Sequence, residues 1–157
     1  MEKFPMTVAG FTRLEAELKR RKYVDRPTIV EDLSEARAHG DLKENAEYHA
    51  AKEKQSFNEG RIKELDAVVS RAEIIDVKSL QSDTIKFGAT VTIIDDESEE
   101  QSTYQIVGEY EADINAKQIS MTAPIARAMI GKKKGDIIEV KTPKGEKNYE
   151  IITIEYI

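Results

Sequence analysis

The sequence contains 157 residues with no cysteine and no tryptophan, and its formal net charge of −6 gives an isoelectric point near 5.1. The lack of cysteine excludes a disulfide framework, thiolate zinc sites and cysteine nucleophiles, and two histidines argue against a histidine metal centre. The acidic balance argues against unaided, non-specific nucleic-acid binding, because neutralising phosphates needs clustered Lys and Arg. No apolar run exceeds three residues, so we expect a cytoplasmic protein without a membrane span or secretory signal.

The first half of the chain, residues 7–76, is rich in Leu, Ala, Glu, Lys and Arg, a composition typical of helices. Between its apolar positions, residues 19–27 are charged and are predicted to pack thinly, with their basic side chains forming a solvated helix face. Pro27 lacks a backbone N–H, which predicts a kink or break in the helix. One buried face is predicted from apolar residues at helical spacing: Phe11, Leu14, Leu18, Ile29, Leu33 and Ala36.

A second helical arm follows a short turn. The turn is predicted at residues 39–41, because Gly40 suits the left-handed conformation that ends a helix. Asp41 and Glu44 form an Asp-x-x-Glu pattern, which is predicted to cap the free N–H groups of the next helix. The two arms together predict an antiparallel helical hairpin. The apolar stripe of the second arm is predicted to be Ala50, Phe57, Ile62, Leu65, Val68, Val69 and Ala72.

The second half of the chain changes to β-branched residues and turn signals. A short helix with Pro124 in its first turn is predicted to end before Gly131. An antiparallel sheet packed on this helix is the simplest fold, and residues 76–84 are predicted to link it to the hairpin. The fold class is therefore α+β, with domains at residues 1–77 and 78–157. The predicted strands are residues 89–94, 103–109, 136–141 and 148–156.

Asp41 and Glu44 are also the candidate functional residues, since both carboxylates lie at the predicted hairpin turn. Capping alone would explain the pair, because Asp-x-x-Glu is a common capping device. Their position at the exposed end of a long hairpin favours a second role as cation ligands. Mg²⁺ prefers about six oxygen ligands, so two carboxylates should bind it weakly until a partner supplies the rest.

Four further residues near the turn are candidates for contacts with a partner. Arg37 and Lys52 lie on opposite arms and could contact phosphates, although surface salt bridges fit the same spacing. Leu42 and Tyr48 are expected to be exposed and able to pack on a partner. No Ser/His/Asp arrangement, glycine-rich phosphate loop or aromatic RNA-binding signature is present, so an autonomous enzyme is not expected.

Four segments, in order along the chain, carry a resemblance to a known family: RPTI at 26–29, GDLKENAEYHAAKE at 40–53, EGRIKEL at 59–65 and APIARAMIGKKKGD at 123–136. With them the chain resembles, over nearly its whole length, the Gre family of bacterial transcript cleavage and transcription elongation factors. The resemblance implies an N-terminal antiparallel coiled coil and a C-terminal FKBP-like sheet domain. In that family the second domain docks at the rim of the RNA polymerase secondary channel, and the coiled coil enters the channel.

The resemblance also implies a function and its residues. RNA polymerase cleaves backtracked RNA in its own active site, so the factor rescues arrested complexes without being an enzyme. Asp41 and Glu44 would help to bind a second Mg²⁺ there, held only weakly by the free protein, and to position water. Arg37 and Lys52 fall where the family has basic residues close to the RNA 3′ end. The implied partners are bacterial RNA polymerase and, through it, nascent RNA, and we expect a monomer with no membrane partner.

Two positions depart from the family pattern. Lys43 stands where the family commonly has Ser and adds a positive charge beside the acids. Ala123 stands where Ser usually precedes Pro124, which leaves Thr122 as the cap available to the short helix. Residues 1–77 carry 14 basic and 16 acidic side chains, so no extensive basic surface is evident, which favours the GreA-like over the GreB-like branch.

Two other functions are alternatives. An inhibitory paralogue would occupy the channel without stimulating cleavage, and the intact Asp41-x-x-Glu44 pattern argues against it. A prolyl isomerase would need an aromatic-lined pocket, whereas the second half of the chain has no Trp and only scattered Phe and Tyr residues.

Overall fold

The computed structural model describes residues 2–157 and shows an α+β protein with two compact units. The helical unit is Thr12–Arg71. The sheet unit is discontinuous, because it combines the described residues up to Phe11 with Ala72–Ile157. This division differs from the predicted boundary after residue 77, since both ends of the helical unit lead into strands that pair with each other.

The helical unit is a hairpin of two arms, as predicted. The first arm contains α1 (Val8–Arg20), a π-helical turn (Arg21–Asp25) and α2 (Arg26–Ala38), and the second arm is α3 (Ala46–Ser70). The predicted apolar face of the first arm is confirmed except at Phe11, which is only half-buried. The buried side chains are Leu14, Leu18, Ile29, Leu33 and Ala36.

The predicted stripe of the second arm is wrong in its first half. Ala50 is exposed and Phe57 is 68% exposed, whereas the neighbouring residues Ala51 and Asn58 are buried. The polar side chain at 58 occupies a core position, which a search for apolar residues cannot find. Ala72 starts a strand instead of extending the helix. The buried side chains of α3 are Ala51, Asn58, Ile62, Leu65 and Val68.

The predicted irregularity near Pro27 takes the form of the π-helical turn Arg21–Asp25. The backbone N–H of Arg26 donates to the carbonyl of Arg21, five residues back. Since Pro27 has no N–H, it cannot continue the regular ladder at the next position. None of the five residues of the turn is buried, which agrees with the thin packing predicted for this segment.

The sheet unit contains a five-stranded sheet in the order β5-β4-β3-β7-β6. Its strands are β3 (Thr90–Asp95), β4 (Gln101–Val107), β5 (Gln118–Ser120), β6 (Ile137–Thr142) and β7 (Gly145–Glu155). All neighbouring pairs are antiparallel except β4 and β5, which are parallel. The predicted sheet is therefore confirmed apart from the short parallel edge strand, which the sequence did not reveal.

One short helix, α4 (Pro124–Met129), packs on this sheet through Ala126 and Met129. Thr122 does not cap it, contrary to the prediction. Ala123 occupies the N-cap position without a side-chain bond, and the Thr122 hydroxyl is hydrogen-bonded to the hydroxyl of Ser120 at 2.7 Å. None of the helices within residues 2–157 is long and apolar enough to cross a membrane.

A second, two-stranded sheet pairs β1 (Phe4–Thr7) in parallel with β2 (Ala72–Ile75). Beside it lies the buried carboxylate of Glu111, which accepts hydrogen bonds from the Thr7 hydroxyl at 2.7 Å and from the Gly108 N–H at 2.8 Å. The Thr7 N–H also donates to it, at 2.9 Å. The sheet unit therefore depends on residues from the start of the chain.

Candidate functional site at the hairpin tip

The tip of the hairpin is the loop of residues 39–45 between α2 and α3, and we call it the tip loop. The N–H of His39 donates to the Ala36 carbonyl and ends α2. Gly40 follows with φ +126°, a backbone conformation that side chains disfavour. The predicted role of Gly40 at the end of the first arm is confirmed.

Asn45, and not Asp41, caps α3. Its side-chain oxygen accepts the N–H of Tyr48 at 3.0 Å, and its amide nitrogen donates to the Ala36 carbonyl at 2.6 Å. One side chain therefore satisfies an N–H at the start of α3 and a carbonyl at the end of α2. The predicted Asp41-x-x-Glu44 capping box is wrong, although the signal was present, because Asn is among the best N-cap residues.

The two candidate acids are free of any capping role. The Asp41 carboxylate accepts the N–H of Lys43 at 3.0 Å within the tip loop. Both acids are exposed, and in the part of the chain that the structure describes neither forms a salt bridge. Capping of α3 therefore does not explain why two acids stand at these positions.

An open pocket of about 410 Å³ lies at the tip and includes both acids. Within residues 2–157, no group of three or more His, Cys, Asp or Glu side chains is arranged to hold a metal ion. The donor set at the tip suits a hard cation but is too small to hold one alone. The pocket is lined by His39, Asp41, Glu44, Asn45, Ala46 and Glu47.

Arg37 is held beside the tip by Tyr48. The centre of the Arg37 guanidinium lies 5.8 Å from the centroid of the Tyr48 ring, a cation–π contact. Tyr48 is half-buried and packs on the cluster of Ile29, Leu33 and Ala51. The expectation that Tyr48 is exposed is therefore wrong, because its ring supports Arg37 and closes the core at this end.

The other two candidates are exposed on the surface of the hairpin. The Lys52 ammonium lies 3.4 Å from the side-chain oxygen of Gln55 on the same helix. Leu42 is 39% exposed in the tip loop, as expected. The structure thus brings Arg37, the acids and Leu42 to one end of the hairpin, with Lys52 nearly two turns into the second arm.

The basic side chains between residues 19 and 27 differ from Arg37 and Lys52, because all five of them form ion pairs. Two of these pairs join the arms: Lys22 contacts Asp66 at 2.9 Å, and Arg26 contacts Glu59 at 2.8 Å. The remaining pairs lie within the first arm and are Lys19 with Glu15, Arg20 with Asp25 and Arg21 with Glu17. The cluster is thus engaged in the fold, whereas Arg37 and Lys52 are paired with no carboxylate within residues 2–157.

Comparison with known proteins gives two family models that together match most of the chain. One, described as "Transcription elongation factor, N-terminal", matches residues 4–74, and the other, "Transcription elongation factor, GreA/GreB, C-term", matches residues 80–156. Transcription elongation factor GreA of Rickettsia felis is 63% identical over 154 residues, covering 98% of this chain and 95% of that protein. GreA of Rhodospirillum rubrum is 62% identical over 99% of both chains.

Among solved structures, GreA factor homolog 1 of Thermus thermophilus aligns with 98% of this chain and 99% of its own, at 28% identity and a TM-score of 0.45. The family models and the relatives cover both units described above. The chain belongs to the GreA/GreB family of transcription elongation factors.

Proposed function

We propose that this protein inserts its hairpin into the secondary channel of bacterial RNA polymerase and stimulates cleavage of backtracked nascent RNA. Arrested elongation complexes are thereby returned to synthesis. The observation that carries the proposal is the tip loop, where Asp41 and Glu44 are exposed, do not cap α3 and form no salt bridge within residues 2–157. Membership of a transcription elongation factor family supports it.

In this proposal the two acids complete a metal site that the polymerase provides in part. A second Mg²⁺ would supply charge stabilisation and an activated water for hydrolysis of the phosphodiester bond. Asp41 and Glu44 would contribute carboxylate oxygens to its coordination and hold the attacking water. Their attraction to a cation would strengthen several-fold on leaving bulk water, because the effective dielectric constant falls.

Arg37 and Lys52 are proposed to hold the RNA 3′ end next to these acids. The Tyr48 ring restricts the Arg37 side chain at 5.8 Å, so less side-chain freedom is lost when its guanidinium binds a phosphate. Lys52 is a flexible point charge on the other arm. Leu42 and the part of half-buried Tyr48 that stays accessible would pack on the channel wall.

The remaining parts of the proposal concern the assembly. The factor would act as a monomer in the cytoplasm, with the sheet unit docked on the polymerase and the polymerase performing the chemistry. Its activity would follow the GreA-like branch, in keeping with relatives named GreA at 61–63% identity.

The proposal is tested with arrested elongation complexes that carry labelled RNA. Asp41→Asn keeps the oxygen that accepts the Lys43 N–H, and Glu44→Gln keeps the size of the side chain, so both variants should fold. We expect each to lower the rate of RNA cleavage at least tenfold, because a carboxylate ligand is lost.

Glu53→Gln is the matched control, since Glu53 is an exposed acid of α3 outside the tip loop, and it should cleave normally. Undiminished cleavage by Asp41→Asn would contradict the proposed role of Asp41 as a metal ligand. A wild-type protein that binds the polymerase and slows synthesis without cleavage would instead identify an inhibitor.

A further inference from the structure

The core of the hairpin contains one buried amide. Asn58 is 3% exposed and lies on the buried face of α3 between Ala51 and Ile62. A buried polar side chain is costly unless its hydrogen bonds are made. Asn58 therefore needs a specific partner on the opposite arm.

Arg21 in the π-helical turn provides that partner twice. The Arg21 guanidinium donates to the Asn58 side-chain oxygen at 3.0 Å, and the Asn58 amide nitrogen donates to the Arg21 carbonyl at 3.1 Å. The guanidinium is itself fixed by the Glu17 carboxylate at 2.7 Å and lies 5.6 Å from the centroid of the Phe57 ring. The Asn58 side chain therefore forms hydrogen bonds with both the side chain and the backbone of Arg21.

Asn45 makes a comparable contact at the other end of the hairpin, where its amide nitrogen donates to the Ala36 carbonyl. Asn58 lies in the second arm and Asn45 caps its first turn, and both bind a carbonyl of the first arm, at the π-helical turn and near the end of α2 respectively. Apolar side chains do not distinguish strongly between registers one turn apart, whereas a buried amide left without its partner does. The two contacts together select one register.

The register matters for the tip because the tip loop has only seven residues, 39–45, by its bounds between α2 and α3. A slip of one helical turn would move about four residues from the loop into an arm or from an arm into the loop. Asp41 and Glu44 lie within that loop, so a slip would change the backbone that carries both carboxylates.

We propose that Asn58 is a positioning residue, which through Arg21 fixes the register of the two arms and thereby the placement of Asp41 and Glu44. Its consequence for RNA cleavage rests on the proposed function, but its effect on the register does not. In this proposal the Asn58 amide makes one register more favourable than the others, and it contributes little to the free energy of unfolding of the hairpin.

The test measures register and activity separately. The chain has no cysteine, so cysteines introduced at the exposed positions Ser34 and Lys63 can be spin-labelled selectively, and the distance between the labels reports the register. In the otherwise wild-type protein we expect one narrow distance distribution. In Asn58→Leu we expect a second population displaced by about 5 Å, one helical turn, an unchanged or higher melting temperature, and at least a tenfold loss of cleavage stimulation.

Gln55→Leu is the matched control, because it removes an amide from the same helix whose hydrogen bond is with Lys52 on that helix. It should keep one distance, and Glu53→Gln remains the control for cleavage. Arg21→Met removes the guanidinium that donates to the Asn58 oxygen but keeps the backbone carbonyl at position 21, so it should produce a smaller second population.

A single, unshifted distance in both Asn58→Leu and Arg21→Met would overturn the register role. A second population with undiminished cleavage would overturn the positioning role. If the unlabelled wild-type protein does not stimulate cleavage, the proposed function fails, while the distances still decide the register.

Discussion

Glu17 lies at the centre of a charged network that joins the two arms of the hairpin. Its carboxylate accepts hydrogen bonds from Arg61 on α3 at 3.0 and 3.2 Å and from Arg21 at 2.7 Å. The hydrogen bonds from Arg61 are the main cause that lowers the pKa of Glu17 to about 2, against the opposing effect of partial burial. The same contact raises the pKa of Arg61.

This lowered pKa predicts a loss of stability in acid. In the unfolded chain Glu17 takes up its proton near its ordinary pKa of 4.5, whereas in the folded protein it stays ionised down to about 2. The stabilisation is therefore complete above pH 4.5 and is lost as the pH falls toward 2. We expect Glu17→Gln to lower the free energy of unfolding by about 1–2 kcal/mol at pH 7, and by less at pH 3.

Urea unfolding followed by circular dichroism at both pH values would measure this difference. Glu31→Gln serves as the control, because Glu31 is exposed on α2, and it should show no such dependence. A cost of Glu17→Gln that is equal at both pH values would contradict the assignment.

The tip shows which single residues could be predicted from the sequence. The left-handed Gly40 and the exposure of the two acids follow from local chemistry. The choice of Asn45 over Asp41 as the cap of α3 does not, because several residues in a row could cap and the Ala36 carbonyl, supplied by the other arm, decides between them. The burial of Tyr48 does not follow from the local sequence for the same reason, since its partners Ile29 and Leu33 lie on the opposite arm.

At the scale of the elements, two helical glycines have opposite surroundings. A Cβ atom on Gly10 in α1 would lie 1.5 Å from a carboxylate oxygen of Glu111, whereas a Cβ on Gly60 in α3 would have no neighbour within 4 Å. Gly10 therefore permits the Glu111 carboxylate to lie close to the backbone of α1. Gly60 permits no such contact and only lowers the helix propensity of α3.

These surroundings predict substitutions of opposite sign. Gly10→Ala should lower the free energy of unfolding by about 3 kcal/mol or more, because the alanine must displace a buried, hydrogen-bonded carboxylate. Gly60→Ala should raise it by about 0.5–1 kcal/mol through higher helix propensity. Thermal unfolding of the two variants measures both effects, and a Gly10→Ala protein as stable as wild type would show that Glu111 is not held as described.

Element prediction succeeded where the pattern is local and failed where pairing is distant in sequence. The first arm and strands β3, β4, β6 and β7 follow from apolar spacing and β-branched residues. Strands β1 and β2 were missed because each has four residues and finds its partner across the whole hairpin. The predicted buried face of α3 is wrong near Asn58, because the burial of this polar side chain depends on its hydrogen bonds with Arg21 on the other arm.

At the scale of the whole molecule, the sheet unit is assembled from both ends of the sequence. The first residues supply β1 and the Thr7 groups that bind the buried Glu111 carboxylate, while the rest of the unit begins at Ala72. A contiguous C-terminal fragment would leave that carboxylate without the Thr7 bonds and β2 without its partner strand.

A comparison of two shortened chains tests this dependence. Residues 72–157 alone should unfold at a markedly lower temperature than residues 1–11 joined to 72–157 by about a dozen Gly and Ser residues, the length that a crossover between parallel strands needs. Calorimetry of both chains measures the difference. Equal melting temperatures would show that the first residues contribute nothing to this unit.

The unbroken second arm has a consequence for how the protein can be altered. With 25 residues, α3 spans about 37 Å, so the number of residues in this helix sets the length of the hairpin arm that leads to the tip loop. Removing seven residues from each arm would shorten the hairpin by about 10 Å while keeping the buried faces roughly in phase. Removing five would turn the faces away from each other. The length of the hairpin is therefore adjustable in steps of helical repeats, and such a change leaves the residues of the tip loop as they are.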